Sequence, residues 1–182
     1  MGAKSAERIY EINIIPPLAG NVRMENKQGF MQYNKYKGSG ELYSQIEICA
    51  SPEKIWIILT DFEKYPQWNP FITRIQGMLR EGSVLDVHLQ PPGGKGMNMK
   101  PVLLTAKPFL ELRWKGRFIF RGLLDGEHVF EIKDQGNGTC LFVQHEYFSG
   151  LLLWLMEKML MKNTCRGFNK MNEALKARLE QQ

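Results

Sequence analysis

Three polar side chains that can bind a ligand or transfer a proton occur among apolar residues: His128, Gln144 and Glu146. Apolar and polar residues alternate around them, so residues two apart face the same side of a β-strand. This parity groups Gln144 and Glu146 with Phe142, and His128 with Phe130. A buried His–Glu pair could act as acid and base on a polarised ligand such as a poly-β-ketone. Alternatively, the two side chains satisfy each other or the backbone and only anchor the fold.

The same alternation extends the candidate wall to other segments. Two further strand-like segments have inward rows, which are Leu110, Leu112 and Trp114, and Leu85, Val87 and Leu89. The residues expected to face them, at helical spacing, are Leu153, Met156, Leu160, Thr164 and Phe168. Trp68 and Phe71 flank a helix-to-strand exit and are further ligand candidates, whereas Trp56 is expected mainly in the core. Such a wall is typical of small-molecule sites, although these residues could instead fill a solid core.

Other chemistries lack their signatures. The histidines 88, 128 and 145 do not have metal-ligand spacing, and parity turns His88 and His145 away from the pocket. No Gly-x-Ser-x-Gly motif indicates a serine nucleophile. Residues 91–96 lack the spacing and following helix of a phosphate loop, which favours a mobile hairpin at the pocket mouth. We therefore expect neither a metal nor a cofactor.

The segment that follows the first strand, 41–49, predicts two short helices. Ser51 is a good N-cap, Pro52 suits the first helical position, and Ile55 begins an apolar helical face. Pro66 and Pro70 then prevent a helix from continuing. This order of strand, paired short helices and many strands is uncommon and indicates one architecture.

Six period-two segments follow the helices, separated by turn residues: 71–76, 83–90, 97–107, 110–118, 123–133 and 139–148. Together with 41–49 they make about seven strands, mostly joined by hairpins and therefore antiparallel. A long helix, from 151 to about 178, ends the chain and has one apolar side. We expect an α+β fold in which this helix lies across the concave face of the sheet.

Composition indicates a soluble protein with one main domain, because 182 residues with 43% apolar and 24% charged residues are ordinary for that class. Residues 1–40 are rich in Gly and Pro and are expected to form a loosely attached arm, in which 9–15 could still pack on the body. The domain is expected over 41–182. Three separated cysteines and the lack of a signal-like or spanning segment predict a cytoplasmic location.

The charge distribution argues against a nucleic-acid platform. The net charge is +5, but residues 1–40 contribute +3, so the body is only weakly basic. The start of the last helix has surplus apolar residues on its outward side and flanks: Leu152, Trp154, Leu155, Met159 and Met161. A helix that is apolar all round is buried by something further. The arm, a second subunit in a homodimer, or transient contact with a membrane surface are the alternatives.

Four separated motifs are specific enough to suggest a family. They are Ala50-Ser-Pro-Glu-Lys-Ile-Trp56, Asp61-Phe62 with Tyr65-Pro-Gln-Trp-Asn-Pro-Phe71, Gly126-Glu-His-Val-Phe130 and Glu146-Tyr-Phe-Ser-Gly150. In this order they resemble the START-like, or SRPBCC, superfamily, with the polyketide cyclase/dehydrase-like branch most similar. The resemblance covers about residues 41–180. It implies a helix-grip fold, a seven-stranded antiparallel sheet wrapped around a long C-terminal helix and enclosing a deep apolar pocket.

The resemblance also implies a function. We expect a carrier or sensor that binds a lipid-like or polyketide-like hydrophobic small molecule between sheet and helix, with His128, Gln144 and Glu146 orienting its polar end. The alternatives are a cyclase or dehydratase that acts on such a ligand, and a protein-interaction module of the chaperone-activator type. His128 and Glu146 are the only catalytic candidates, and binding is preferred over catalysis.

Overall fold

The computed structural model of the chain describes residues 22–26, 29–117 and 122–181. Its strands and helices follow in the order β1 (Val22–Asn26), β2 (Gly29–Tyr36), β3 (Ser39–Ile48), α1 (Pro52–Thr60), α2 (Tyr65–Trp68), β4 (Ile72–Gln76), β5 (Asp86–Leu89), β6 (Met97–Met99), β7 (Val102–Lys107), β8 (Glu111–Arg117), β9 (Asp125–Asp134), β10 (Cys140–Ser149) and α3 (Leu153–Glu180). A 3-10 turn, Phe62–Lys64, connects α1 to α2. In the described residues, no helix is long and apolar enough to cross a bilayer.

The main sheet has seven antiparallel strands in the order β1-β2-β3-β10-β9-β8-β7. β10 lies in the middle and pairs with β3 on one side and β9 on the other. A second sheet has the order β4-β5-β6. The segment before β5 joins it to the main sheet, because Leu85 N donates to Pro101 O at 2.8 Å and Leu103 N donates to Ser83 O at 2.9 Å.

The long helix α3 packs on the inner face of this sheet and buries an apolar side. Buried residues along it recur three or four positions apart, which is the spacing of one helix face: Leu160, Thr164, Phe168, Met171, Leu175 and Leu179. Lys158, Lys162 and Arg166 lie on the opposite, exposed side. The predicted α+β helix-grip arrangement is confirmed.

The first helix begins and packs as its sequence indicates. Ser51 holds the N-cap position and Pro52 the first helical turn, where its missing N–H costs nothing. Ile55 and Leu59 are fully buried, and Trp56 is also in the core, as expected.

The described residues form ten strands instead of the seven expected, because one predicted segment is two strands and because β1 and β2 precede the first predicted strand. Residues 97–107 split into β6 and β7 around Pro101, which has no N–H to donate to a ladder. The parity rule also places Leu110 inward, but Leu110 is 61% exposed. It lies in the β7–β8 turn, where Phe109 has a φ of +66°, so the alternation starts only after it.

The described part of the expected arm belongs to the sheet. β1 and β2 pair with each other, and β2 pairs with β3 through a tight turn at Gly38. Met31 and Tyr33 are each 2% exposed, so β2 covers the interior. Its apolar alternation consists of these two large residues, which is a short pattern. A domain boundary at residue 40 stays a prediction. Residues 1–21, with the segment 9–15, lie outside the described residues, as does the end of the predicted strand 110–118.

Candidate functional site

The three polar residues that the sequence singled out lie together on the inner face. His128 in β9 is directly opposite Glu146 in β10, and Gln144 is two residues further along β10. All three are buried, with exposed fractions of 4%, 8% and 0%. Alternation along both strands produces this grouping, because residues two apart face the same side of the sheet. Polar residues on the inner side have no route to solvent.

A chain of buried hydrogen bonds links two of these residues, His128 and Gln144, to two others, and Glu146 lies beside its end. His128 Nε2 lies 3.1 Å from Gln144 Oε1. The Gln144 amide donates from Nε2 to Asn172 Oδ1 at 2.6 Å, and Asn172 Nδ2 donates to Ser44 Oγ at 2.9 Å. We call Ser44, Asn172, Gln144, His128 and Glu146 the polar chain. It runs from β3 through α3 to β10 and β9, and so connects the helix to the sheet.

The direction of these bonds assigns the tautomer of His128. The Gln144 nitrogen is used for Asn172, so its oxygen faces His128 and accepts from Nε2–H. Nδ1 is then the unprotonated nitrogen of a neutral ring, and it lies 3.6 Å from Glu146 Oε2. The Glu146 carboxyl group forms no hydrogen bond to another described residue.

Burial keeps both titratable groups of the polar chain neutral. Loss of solvation lowers the pKa of His128 to about 3, against the opposing effect of the Gln144 hydrogen bond. Loss of solvation, with the nearby charge of Glu127, raises the pKa of Glu146 to about 8. At neutral pH a protonated carboxyl group therefore faces an unprotonated ring nitrogen, and the contact is not an ion pair.

Aromatic rings surround the imidazole. Phe168 of α3 stacks on His128 with ring centroids 4.8 Å apart, and Phe130 lies 4.1 Å away on the same ring. Trp114 of β8 contacts His128 edge-on at 5.4 Å, and Phe71 contacts Phe168 in the same way at 6.2 Å. The polar pair therefore lies in a low-dielectric environment, which is the physical cause of its neutrality.

The close approach of α3 to Phe71 depends on a glycine. A Cβ atom at Gly167 would overlap the Phe71 ring, so any side chain there would push the helix or the ring away. Gly167 thus lets Phe71 reach Phe168 and complete the aromatic wall.

The exit of α2 supplies two buried donors without partners. Asn69 Oδ1 accepts from the backbone N–H groups of Phe71 and Ile72 at 3.0 and 2.8 Å, which fixes the turn into β4. Asn69 Nδ2 and Trp68 Nε1 are buried and form no hydrogen bond within the described part of the chain. Unpartnered buried donors are uncommon in folded proteins and suit an oxygen acceptor on a ligand.

The remaining predicted ligand-binding residues also lie inside the molecule. Those that are buried are Leu85, Val87, Leu112, Phe142, Leu153, Leu160 and Thr164, whereas Leu89 and Met156 are half-buried. His88 contacts Asn98 on the small sheet, and His145 contacts Glu41, so both lie away from the polar chain as parity predicts.

Sequence reasoning missed three polar residues of this region. Ser44 alternates with Leu42 and Ile46, so the parity rule used for later strands would have placed it inward. Asn172 lies four residues after Phe168, on the apolar side of α3. The orphan donor of Asn69 had no sequence signal, because it depends on which atom the turn consumes.

The fold and the site together define the helix-grip class of proteins. The fold is a large antiparallel sheet with a long C-terminal helix across it, and the inner face of the sheet joins aromatic rings to a few neutral polar groups. A sequence profile of the family described as "Polyketide cyclase / dehydrase and lipid transport" matches residues 39–180. The chain belongs to this family, and the resemblance drawn from the four motifs is confirmed. No curated protein matches the sequence significantly.

Solved structures share the fold at low identity. The di-domain ARO/CYC StfQ from the steffimycin biosynthetic pathway is 12% identical with a TM-score of 0.59, over 79% of this chain and 51% of StfQ. Norcoclaurine synthase from Thalictrum flavum is 12% identical with a TM-score of 0.63, over 82% and 99%. A START superfamily protein from Mycobacterium smegmatis is 24% identical with a TM-score of 0.61, over 78% and 97%. The chain spans about half the length of StfQ and of a second di-domain ARO/CYC protein, BexL.

Proposed function

We propose that this protein binds a hydrophobic or aromatic small molecule between the seven-stranded sheet and α3, as a cytoplasmic carrier or sensor. The neutral His128–Glu146 pair inside an aromatic wall carries the proposal. An apolar ligand that covers this wall desolvates no charged group, so its binding carries no cost of charge desolvation. Burial of its apolar area supplies the affinity, at about 25 cal/mol per Å² before entropic costs.

The polar groups of the region favour a ligand that carries oxygen acceptors. Protonated Glu146 has an O–H to donate, and Trp68 Nε1 and Asn69 Nδ2 are donors without partners among the described residues. A carbonyl or phenolic oxygen fits these groups, whereas an ammonium group does not. Access is expected through the 91–96 hairpin or the first turns of α3.

A second candidate function is catalysis by the same pair. At neutral pH Glu146 carries a proton and His128 Nδ1 carries none, which is the arrangement that acid–base enolisation of a ketone requires, although the lowered pKa of His128 makes its ring a weak base. Glu146 would give its proton to the carbonyl oxygen while Nδ1 takes one from the adjacent carbon. The family description includes polyketide cyclases and dehydrases, and two di-domain ARO/CYC structures share the fold, which motivates this candidate.

Native mass spectrometry of freshly purified full-length protein tests the binding proposal first, because it reports a retained ligand and the oligomeric state together. Calorimetric titration with naphthalene and 2-naphthol, which differ in one hydroxyl group, then tests the polar end. We expect the naphthol to bind about fivefold more tightly, as one net hydrogen bond contributes about 1 kcal/mol. Equal affinities would contradict the role of the donors.

Two variants on one helix locate the site. Thr164→Phe fills the inner side of α3 and is expected to lower naphthol affinity at least tenfold, whereas Lys162→Phe on the exposed side leaves it unchanged. Circular dichroism checks that both variants fold. An unaffected Thr164→Phe, together with no retained ligand, would leave the protein-interaction alternative.

Glu146→Gln separates carrier from enzyme. Gln keeps a neutral donor of similar shape, so we expect naphthol affinity within about twofold, while an acid-dependent turnover of a polyketide-like substrate is lost. Glu131→Gln on the opposite face of the neighbouring strand is the control and changes neither. Turnover that survives Glu146→Gln would show that Glu146 is not the catalytic acid.

A further inference from the structure

The first turns of α3 and the turn that precedes them expose a group of large apolar side chains. Leu151, Trp154, Leu155 and Met159 are 74%, 76%, 66% and 52% exposed. We call these four residues the apolar patch. Single exposed apolar residues are ordinary, but four within nine positions, one of them a tryptophan, mark an interaction surface.

The same face of the helix continues as a row of cations. Lys158, Lys162 and Arg166 follow Leu155 at spacings of three and four residues, and all three are exposed. None of them forms an ion pair with another described residue. Glu157, the acidic residue of these turns, is turned to the sheet, where Lys35 and Tyr33 bind its carboxylate.

We propose that this face of α3 docks on an anionic lipid bilayer. The apolar patch enters the boundary between headgroups and acyl chains, with Trp154 at the level where its amphipathic ring is most stable. The row of cations then meets anionic headgroups, each cation adding attraction that falls off within a Debye length.

The cations argue against a second copy of this chain as the occupant. With the two helices parallel, a two-fold dimer built on the apolar patch would bring the rows of Lys158, Lys162 and Arg166 of both subunits close together. With the helices antiparallel, each row would face the start of the partner's helix, where the acidic residue Glu157 is turned to the sheet. Like charges that face each other across an interface are repulsive. An anionic bilayer fits both halves of the face, because its headgroups offer negative charge to the cations and its acyl chains offer an apolar environment to the apolar patch.

This docking would connect the bilayer to the proposed binding region, and that consequence rests on the proposed function. Leu153 and Leu160 are buried on the inner side of the same turns that expose Trp154 and Leu155 on the outer side. A hydrophobic ligand leaving past these turns would pass directly into lipid instead of water, which removes the cost of exposing it.

The test uses the full-length protein and vesicles of phosphatidylcholine, with and without phosphatidylglycerol. Trp154 is 76% exposed, whereas Trp56, Trp68 and Trp114 are 7%, 9% and 3% exposed, so a blue shift of tryptophan emission reports mainly on Trp154. We expect the shift on vesicles with phosphatidylglycerol, little on phosphatidylcholine alone, and loss of it at high salt.

Variants separate the two halves of the face. Lys158→Gln with Lys162→Gln is expected to lower the partition coefficient in co-sedimentation by about 20-fold, since a cation near an anionic leaflet contributes roughly a factor of five. Leu155→Ser lowers it by about tenfold through lost apolar burial. The matched controls on α1, Lys54→Gln and exposed Ile57→Ser, leave it unchanged.

Partition that is indifferent to phosphatidylglycerol, or equal for the α3 variants and the α1 controls, would overturn the proposal. So would a dimer in native mass spectra that Leu155→Ser dissociates, with no vesicle binding. Naphthol titration in the absence of vesicles tests ligand binding separately, so a failure of docking is distinguishable from a failure of the proposed function.

Discussion

Strand β10 carries His145 and Glu146 side by side, and each belongs to a different His–Glu pair. Glu146 points inward, where its carboxyl oxygen is 3.6 Å from His128 Nδ1. His145 points outward, where its ring nitrogens are 2.9 Å from a Glu41 oxygen and 3.4 Å from a Glu131 oxygen. The two faces of one sheet thus hold the same residue types in opposite surroundings.

The surroundings decide the charge of each pair. Phe130 and Phe168 enclose the inner imidazole, and its carboxyl partner is protonated because burial penalises the ion. On the outer face burial also raises the pKa of Glu131, but the hydrogen bond and charge of Lys133, together with His145, hold it below the usual value. Residue type alone therefore predicts neither protonation nor role.

Truncation of the aromatic ring on each face gives the largest contrast. Phe168→Ala removes a fully buried ring from the inner pair and is expected to lower the free energy of unfolding by about 4 kcal/mol. Tyr147→Ala removes the exposed ring that stacks on His145 and is expected to cost under about 1 kcal/mol. Urea unfolding measures both, and equal losses would erase the contrast.

Removal of one hydrogen-bonding partner tests the next difference. Asn172→Leu leaves buried groups of Gln144 and Ser44 unpaired, at a cost of about 2–3 kcal/mol. Glu41→Gln on the outer face leaves groups that water can reach, at a cost below about 1 kcal/mol. Chemical unfolding compares the two, and an Asn172→Leu protein as stable as the wild type would show that the polar chain contributes nothing to stability.

The neutral pair predicts a particular pH dependence of stability. The raised pKa of Glu146 contributes stability that is complete below its unfolded value of 4.5 and is lost as pH rises through about 8. The lowered pKa of His128 contributes stability that is complete above 6.5 and is lost as pH falls towards about 3. The two slopes oppose each other between 4.5 and 6.5, so stability from this pair is flat there.

Above pH 6.5 Glu146 is the member of the pair whose protonation still affects stability. The free energy of unfolding therefore falls towards pH 8 by about 1 kcal/mol per pH unit. Glu146→Gln is expected to abolish that fall, and Glu131→Gln to leave it in place. Urea midpoints at half-unit pH intervals measure the slope. A wild type that is equally stable at pH 6.5 and pH 8 would show that Glu146 is ionised in the folded protein.

The outer pair should give the smallest effect. A double-mutant cycle of His145→Gln and Glu41→Gln is expected to yield a coupling of about 0.5 kcal/mol, because partly exposed ion pairs are weak. The coupling should decrease further in high salt. A coupling above about 2 kcal/mol would mean that the outer pair is as desolvated as the inner one.

Sequence patterns predicted the fold well because the interior follows simple periodicities. The alternation in 139–148 predicted the buried row of β10, and the apolar spacing of the last helix predicted its inner side. The predicted bounds of that helix, 151 to about 178, differ from the observed Leu153–Glu180 by two residues at each end. Pro101 and the turn at Phe109 were exceptions, since each interrupts a pattern that continues in composition. β1 and β2 were also missed, because they lie in the segment expected to form an arm.

The candidate site was only partly predictable. Parity brought His128, Gln144 and Glu146 together, because inward polar residues on paired strands must be neighbours. It did not predict that Gln144 would bridge to Asn172 instead of to Glu146, since that depends on where α3 crosses the sheet. Protonation was equally hidden, because it follows from Phe168 and Phe130, which come from different elements.

The protonation of Glu146 tests the account most directly. Carbon-13 NMR of side-chain-labelled glutamate, with Glu146→Gln to assign the signal, follows its carboxyl group through a pH titration of the folded protein. We expect a carboxyl group that is protonated at pH 7 and titrates near the pKa of about 8. A signal that titrates at or below the usual pKa of 4.5 would show a charged inner pair and contradict the account.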